Sequence, residues 1–193
     1  VLNVQDLELR VGARVLMSEV SFRVSAGDKI GLVGRNGAGK TTLTKTLAGD
    51  LQPADGKIEF TGEIGYLPQD PRSGDPEELA RTRILNARGL GSLLQGMNES
   101  SMLMGDPDEK IAAAAMKKYG DLSDRFDALG GYAAEAEAAS IASNLKLPDR
   151  ILDQPLKTLS GGQRRRIELA RILFSGAETM LLDEPTNHLD ADS

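Results

Sequence analysis

The stretch Gly34-Arg35-Asn36-Gly37-Ala38-Gly39-Lys40-Thr41-Thr42 restricts this chain more than any other. It reads G-x-x-x-x-G-K-[ST], the loop that wraps nucleotide phosphates. Phosphate oxygens must approach backbone N–H groups closely, so Gly34, Gly37 and Gly39 supply conformations and clearance that a Cβ would block. The segment before the loop, Lys29-Ile30-Gly31-Leu32-Val33, is short and mostly apolar, which predicts a strand buried in a parallel sheet. After the loop, Leu43 and Leu47 sit on one helical face, and Gly49 can end that helix. A helix starting near Gly39 would aim its positive dipole end at the anion. Lys40 then reaches the β- and γ-phosphates as a point charge, and the Thr41 hydroxyl suits a Mg²⁺ ligand.

A chain of 193 residues suffices for one well-packed domain, or for a core with an inserted subdomain. Its net charge of −6 argues against a generally basic nucleic-acid binder. The absence of cysteine removes disulfides, thiolate metal sites and a thiol nucleophile. No apolar run approaches the roughly 18 residues of a membrane span, so a cytoplasmic location is expected. The chain starts at Val1 and stops three residues after Asp190, so it is expected to be part of a longer protein.

Residues 1–33 read as β, with Val20, Phe22 and Val24 alternating with polar neighbours. Pro53 to Gly56 forms a turn, followed by a short strand at Lys57–Phe60 and another segment, Gly65-Tyr66-Leu67, leading through Pro68 to Gln69. From Arg72 to about Arg150 the pattern turns helical. Asp75-Pro76-Glu77-Glu78 resembles a helix start. Met116, Tyr119, Leu122, Phe126 and Leu129 follow three- and four-residue steps, weakened or interrupted at Gly120 and broken at Gly130-Gly131. Ala134, Ala138, Ile141 and Leu145 resume the period. The expected fold is α/β, with a P-loop ATPase core, a β-rich N-terminal part and an inserted α-helical subdomain. The expected boundaries are 1–71 with 164–193 for the core and 72–163 for the subdomain.

Thr179-Met180-Leu181-Leu182 is an apolar strand ending in Asp183-Glu184. Asp183 is placed to hold Mg²⁺ through a water molecule. Side chains alternate along a strand, so Glu184 points elsewhere and can orient or deprotonate an attacking water. Leu159-Ser160-Gly161-Gly162-Gln163 precedes a helical run marked by Ile167, Ala170 and Phe174. Ser160 can cap that helix, and the glycines leave its N–H groups open to an anion. One mononucleotide does not need two such helix termini from one subunit, so this one is expected to face a nucleotide held by a partner. Arg164, Arg165, Arg166 and Arg171 point in different directions on that helix and form no single patch; they read as solvated or carboxylate-paired charges.

The phosphate loop, Gln69, the LSGGQ run at 159–163, the Asp183-Glu184 strand and Asp190 resemble ATP-binding cassette nucleotide-binding domains in content and order. The run Asp183-Glu184-Pro185-Thr186-Asn187-His188-Leu189-Asp190, with Gly130-Gly131-Tyr132, is similar to the class F branch (ABC-F), and to its first cassette. That resemblance implies ATP and Mg²⁺ as ligands, with Gly34 to Thr42 on the phosphates. It implies Glu184 as the catalytic carboxylate and Lys40 and Gln69 as further catalytic residues, with Thr41, Gln69 and Asp183 around the metal. Ser160, Gly161, Gly162 and Gln163 would face the partner cassette's ATP, and Asp190 would lie in the dimer interface. His188 would be an interface or structural residue. The implied partners are a second cassette, on the same longer chain or as a homodimer, and the ribosome and its rRNA, with antibiotic protection of ribosomes as one output. The alternative is the nucleotide-binding domain of an ABC membrane transporter. A chromosome-organising ATPase fits poorly, because those relatives insert a very long coiled coil between the two halves. The family's adenine-stacking aromatic is replaced here by Val11, which leaves base selectivity open.

Overall fold

The computed structural model describes residues 1–69 and 75–185, in which two compact units form. One contains residues 1–69 and 176–185, the other residues 75–175.

The first unit carries the β structure. Strand β1 (Leu2–Val11) pairs antiparallel with β2 (Arg14–Val24) on one side and β3 (Asp55–Phe60) on the other. Helix α1 (Lys40–Leu47) buries Leu43 and Leu47 against Leu2, Val4, Leu7 and Leu9 of β1. Gly49, left-handed at φ +86°, follows the helix as the notional C-terminal glycine should. A second sheet has two parallel strands, β4 (Ile64–Leu67) and β5 (Thr179–Leu182), with Leu67 opposite Leu182. Leu181 of β5 packs beside the α1–β1 core.

One β expectation is corrected. Lys29–Val33 forms no strand, and Ile30, Leu32 and Val33 are 64 %, 51 % and 90 % exposed. An extended segment becomes a buried strand only when neighbours take up its N–H and C=O groups, and none of the described strands pairs with this one. Strand β5 is covered on one face only, since Met180 and Leu182 remain exposed.

The second unit is helical: α2 (Ala80–Leu85), α3 (Gly91–Leu103), α4 (Glu109–Ala128), α5 (Gly131–Asn144), α6 (Asp149–Leu152) and α7 (Gly161–Ser175). Asp75-Pro76-Glu77-Glu78 does not begin a helix. The Asp75 carboxylate accepts the Glu77 N–H at 2.9 Å, closing a local turn, and α2 starts at Ala80. Helix α4 runs through Gly120 without a break, capped by Asp108, whose carboxylate accepts the Lys110 N–H. Its stripe is only partly core: Phe126 is fully buried, whereas Met116 and Leu129 are exposed. Gly130, at φ +70°, turns the chain into α5. Ile167, Ala170 and Phe174 of α7 are buried among Ile84, Phe126 and Ala138. This apolar stripe places all of α7 in the helical unit.

No helix among the described residues is long and apolar enough to cross a membrane. Thr186, Asn187, His188, Leu189 and Asp190 lie outside the described residues, as does Arg72.

Candidate active site

A cleft of about 480 Å³ opens in the first unit, lined by Asn36, Gly37, Gly39, Lys40, Thr41, Thr42, Gln69 and Glu184, together with Val11, Arg14 and Leu16. Its floor is the start of α1. Gly39 precedes the helix in the left-handed region at φ +96°, and no side chain among the described residues caps the helix start. The first N–H groups of α1 are therefore open to an anion, as the glycine spacing anticipates. A side chain at Gly39 would be strained by its φ, and its Cβ would press on Leu16 Cδ1 at 3.1 Å. Strand β2 thus packs directly on the phosphate loop.

Lys40 folds back over the loop, where Nζ donates to the Gly34 and Arg35 carbonyls at 2.7 and 3.1 Å. Those oxygens hold the cation near the helix N-terminus, where a phosphate would compete for it. Gly34, Arg35 and Ala38 shape the loop without lining the cleft: Arg35 O accepts the Ala38 N–H at 3.1 Å.

Two residues 115 positions apart meet at the other wall. Gln69 Nε2 donates to Glu184 Oε2 at 3.2 Å. Gln69 lies just past β4 and Glu184 just past β5, so the parallel pairing of these strands brings them together. Glu184 has φ +49°, unusual for a residue with a side chain, and such strain costs about 1–3 kcal/mol where it persists. Glu184 lines the cleft, whereas Asp183 is buried at 6 % exposure and does not line it; both lie past the end of β5, so strand alternation does not account for the difference. The Asp183 N–H donates to Leu67 O at 3.0 Å, extending the ladder past β5.

Tyr66 reads in the sequence only as part of an extended segment, with no sign that it lies near Asp183. Its hydroxyl is buried and has no hydrogen-bond partner among the described residues. Burial, reinforced by the Asp183 and Asp50 carboxylates, pushes its pKa up to about 12. Arg14 and Leu16 also escaped notice, because their place in the cleft follows from the β1–β2 hairpin packing on the loop and not from any local motif.

The donor chemistry suits a magnesium ion: Thr41 offers a hydroxyl and Gln69 an amide oxygen in the cleft, while the Asp183 carboxylate is buried and does not line it, and Mg²⁺ takes such hard donors one or two at a time beside phosphate oxygens and water.

In the helical unit, Ser160 and Gln163 form a reciprocal cap at the start of α7. Ser160 Oγ accepts the Gln163 N–H at 3.2 Å, and Gln163 Oε1 accepts the Ser160 N–H at 2.9 Å. This occupies the Gln163 side-chain oxygen with capping and leaves the Ser160 hydroxyl proton available to an outside acceptor. The arginines that follow are not a basic patch. Arg164 Nε donates to Leu159 O, and Arg166 reaches Gly162 O and Lys146 O. Arg165 is buried instead of solvated, at 2 % exposure. Buried Glu168 accepts from Arg171 Nε at 2.8 Å and from Arg83 Nε at 2.6 Å, tying α7 to α2.

A glycine-rich loop opening a helix, with its lysine over the loop and a strand-end glutamate across the cleft, defines a P-loop ATPase. The comparisons carry this further. Residues 17–187 match the ABC transporter family, to which the chain belongs as an ABC-F-type ATP-binding cassette domain. The chain is 38 % identical over 197 residues to the tylosin resistance ATP-binding protein TlrC of Streptomyces fradiae, covering 98 % of this chain and 35 % of that one. It is 38 % identical over 186 residues to the energy-dependent translational throttle protein EttA of Escherichia coli (strain K12), covering 93 % of this chain and 32 % of that one. The chain therefore spans about a third of the length of these curated relatives. Among solved structures, an ATP-binding subunit of an ABC transporter superposes with a TM-score of 0.70 at 21 % identity, over 98 % of this chain and 68 % of that one, a likeness of fold.

Proposed function

We propose that this chain is an ATP-hydrolysing cassette of a longer, cytoplasmic two-cassette protein that acts on the ribosome. The observation that carries the catalytic part is the shared cleft, where Lys40, Thr41 and Thr42 face Gln69 and Glu184. Lys40 exchanges its loop carbonyls for the β- and γ-phosphates, and the N–H groups opening α1 hold the same oxygens. Thr41, Gln69 and Asp183 would hold Mg²⁺, which when bound would neutralise charge on the phosphates. Glu184 accepts a proton from a water aligned with the γ-phosphorus, and Gln69 orients both the carboxylate and that water. Catalysis is positioning and charge stabilisation, with no covalent intermediate.

The second cassette completes the pocket. Ser160, Gly161 and Gly162 would meet the γ-phosphate held by that partner, with the Ser160 hydroxyl proton donated outward, while Gln163 keeps Ser160 in place. The isolated chain would then hydrolyse ATP weakly. ATP-driven closure is the output and hydrolysis resets it. The ribosomal assignment is supported by the names of two relatives, a translational throttle and a tylosin resistance protein.

Co-sedimentation of the complete protein with ribosomes tests this reading. Retention with a non-hydrolysable ATP analogue, lost with ADP, is expected. Recovery in a membrane fraction without ribosome retention would replace it with the transporter reading.

A further inference from the structure

We propose that Arg14 receives the base of the bound nucleotide, and that the site accepts guanine at least as well as adenine. This rests on the cleft being the triphosphate site. The cleft runs from Lys40, Thr41 and Thr42 to the hairpin side chains Val11, Arg14 and Leu16. Leu16 and Met17 pack against Gly39, which fixes the hairpin relative to the phosphates. With the triphosphate on the α1 N-terminus, the nucleoside extends toward the hairpin.

Val11 and Arg14 are cross-strand partners flanking the Gly12-Ala13 turn, so both side chains leave the same face of the sheet. Both line the cleft and both are exposed. No aromatic ring lines it among the described residues. Arg14 makes no hydrogen bond or ion pair among the described residues, whereas neighbouring Arg10 is paired with Glu8. A planar guanidinium with no other commitment is a stacking surface for a base, and Val11 supplies an apolar edge beside it.

Base preference follows from this stacking. A guanidinium lying face-on over a base directs its N–H groups in its own plane, away from that base's edge, so it does not read O6 against the amino group. Every purine offers a π-face, so the cationic plane accepts guanine as well as adenine.

The test is titration of the chain, in magnesium buffer, with ATP, GTP and inorganic tripolyphosphate, in wild type and in Arg14→Ala, Arg14→Lys and Lys40→Ala. Wild type should bind GTP at least as tightly as ATP, within measurement error. Arg14→Ala should weaken both nucleotides about three- to tenfold while leaving tripolyphosphate unchanged. Arg14→Lys, which keeps the charge and loses the plane, should resemble Arg14→Ala. Nucleotide affinities unmoved by Arg14→Ala, a tenfold preference for ATP in wild type, or an equal loss for tripolyphosphate would each overturn the proposal. Failure of all three ligands to bind wild type, or indifference of all three to Lys40→Ala, would instead overturn the triphosphate site itself and this proposal with it. Arg14 is exposed on a hairpin, so both variants should fold, and circular dichroism checks this.

Discussion

Lys40→Ala isolates the phosphate-binding role of the loop from its shape. In the structure the Lys40 ammonium already has two acceptors, Gly34 O and Arg35 O at 2.7 and 3.1 Å. Binding ATP replaces these neutral oxygens by phosphate oxygens, so affinity gains only the difference. A hydrogen bond involving a charged group contributes about 1.5–3 kcal/mol net. Surrendering the two carbonyl contacts pulls the result toward the lower end, about 1.5 kcal/mol or slightly more than tenfold in Kd. Calorimetric titration with MgATP measures this directly. The thermal midpoint should change little, because the lysine contacts lie on the surface of the loop and the Gly39 and α1 backbone remains. The loss should also shrink as salt rises, since screening weakens the exposed part of the contact. Unchanged ATP affinity in a folded Lys40→Ala protein would refute the assignment. A large drop in thermal stability would show instead that the carbonyl contacts hold the loop together.

Glu184→Gln in the complete protein should retain ATP binding and slow turnover by roughly 10²–10⁴, read by phosphate release; a near-normal rate would remove Glu184 from the base role. Gly131→Ala should destabilise the helical unit by about 1–3 kcal/mol, because the new methyl group would overlap the fully buried Phe126 ring, itself set edge-on to Tyr132 at 5.3 Å. Gly120→Ala, in α4 with open space around it, should stabilise by about 1 kcal/mol, and thermal denaturation of the pair would move in opposite directions. For Tyr66, the folded pKa near 12 lies above the ordinary value of 10.0, so the unfolded chain ionises first. Stability should be complete below pH 10 and fall as pH rises toward 12, and Tyr66→Phe should lose that part of the decline in urea melts at successive pH values. At neutral pH the same variant should be neutral or slightly stabilising, since the hydroxyl it removes is buried without a partner among the described residues.

Local chemistry made half of this protein readable without coordinates. The phosphate loop and the Ser160 cap each depend on a few consecutive residues: glycine where the backbone turns left-handed, a hydroxyl before a helix. Helices α4, α5 and α7 were legible for the same reason, since their apolar residues recur at the helical period. What a sequence alone did not determine is which of these segments meet. Ile30, Leu32 and Val33 look like a buried strand, but burial requires partners on neighbouring strands, and that pairing is not written in five residues. Exposed Met116 and buried Arg165 break their expected patterns because neighbouring helices, not period, decide which face is covered. Gln69 reaches Glu184 only because β4 and β5 pair in parallel, and Arg14 reaches the cleft only because Leu16 and Met17 pack on Gly39. Backbone conformation and side-chain chemistry are short-range properties, carried by each residue and its neighbours in the chain. Strand pairing and packing join residues far apart in sequence, so the composition of the cleft belongs to the tertiary structure.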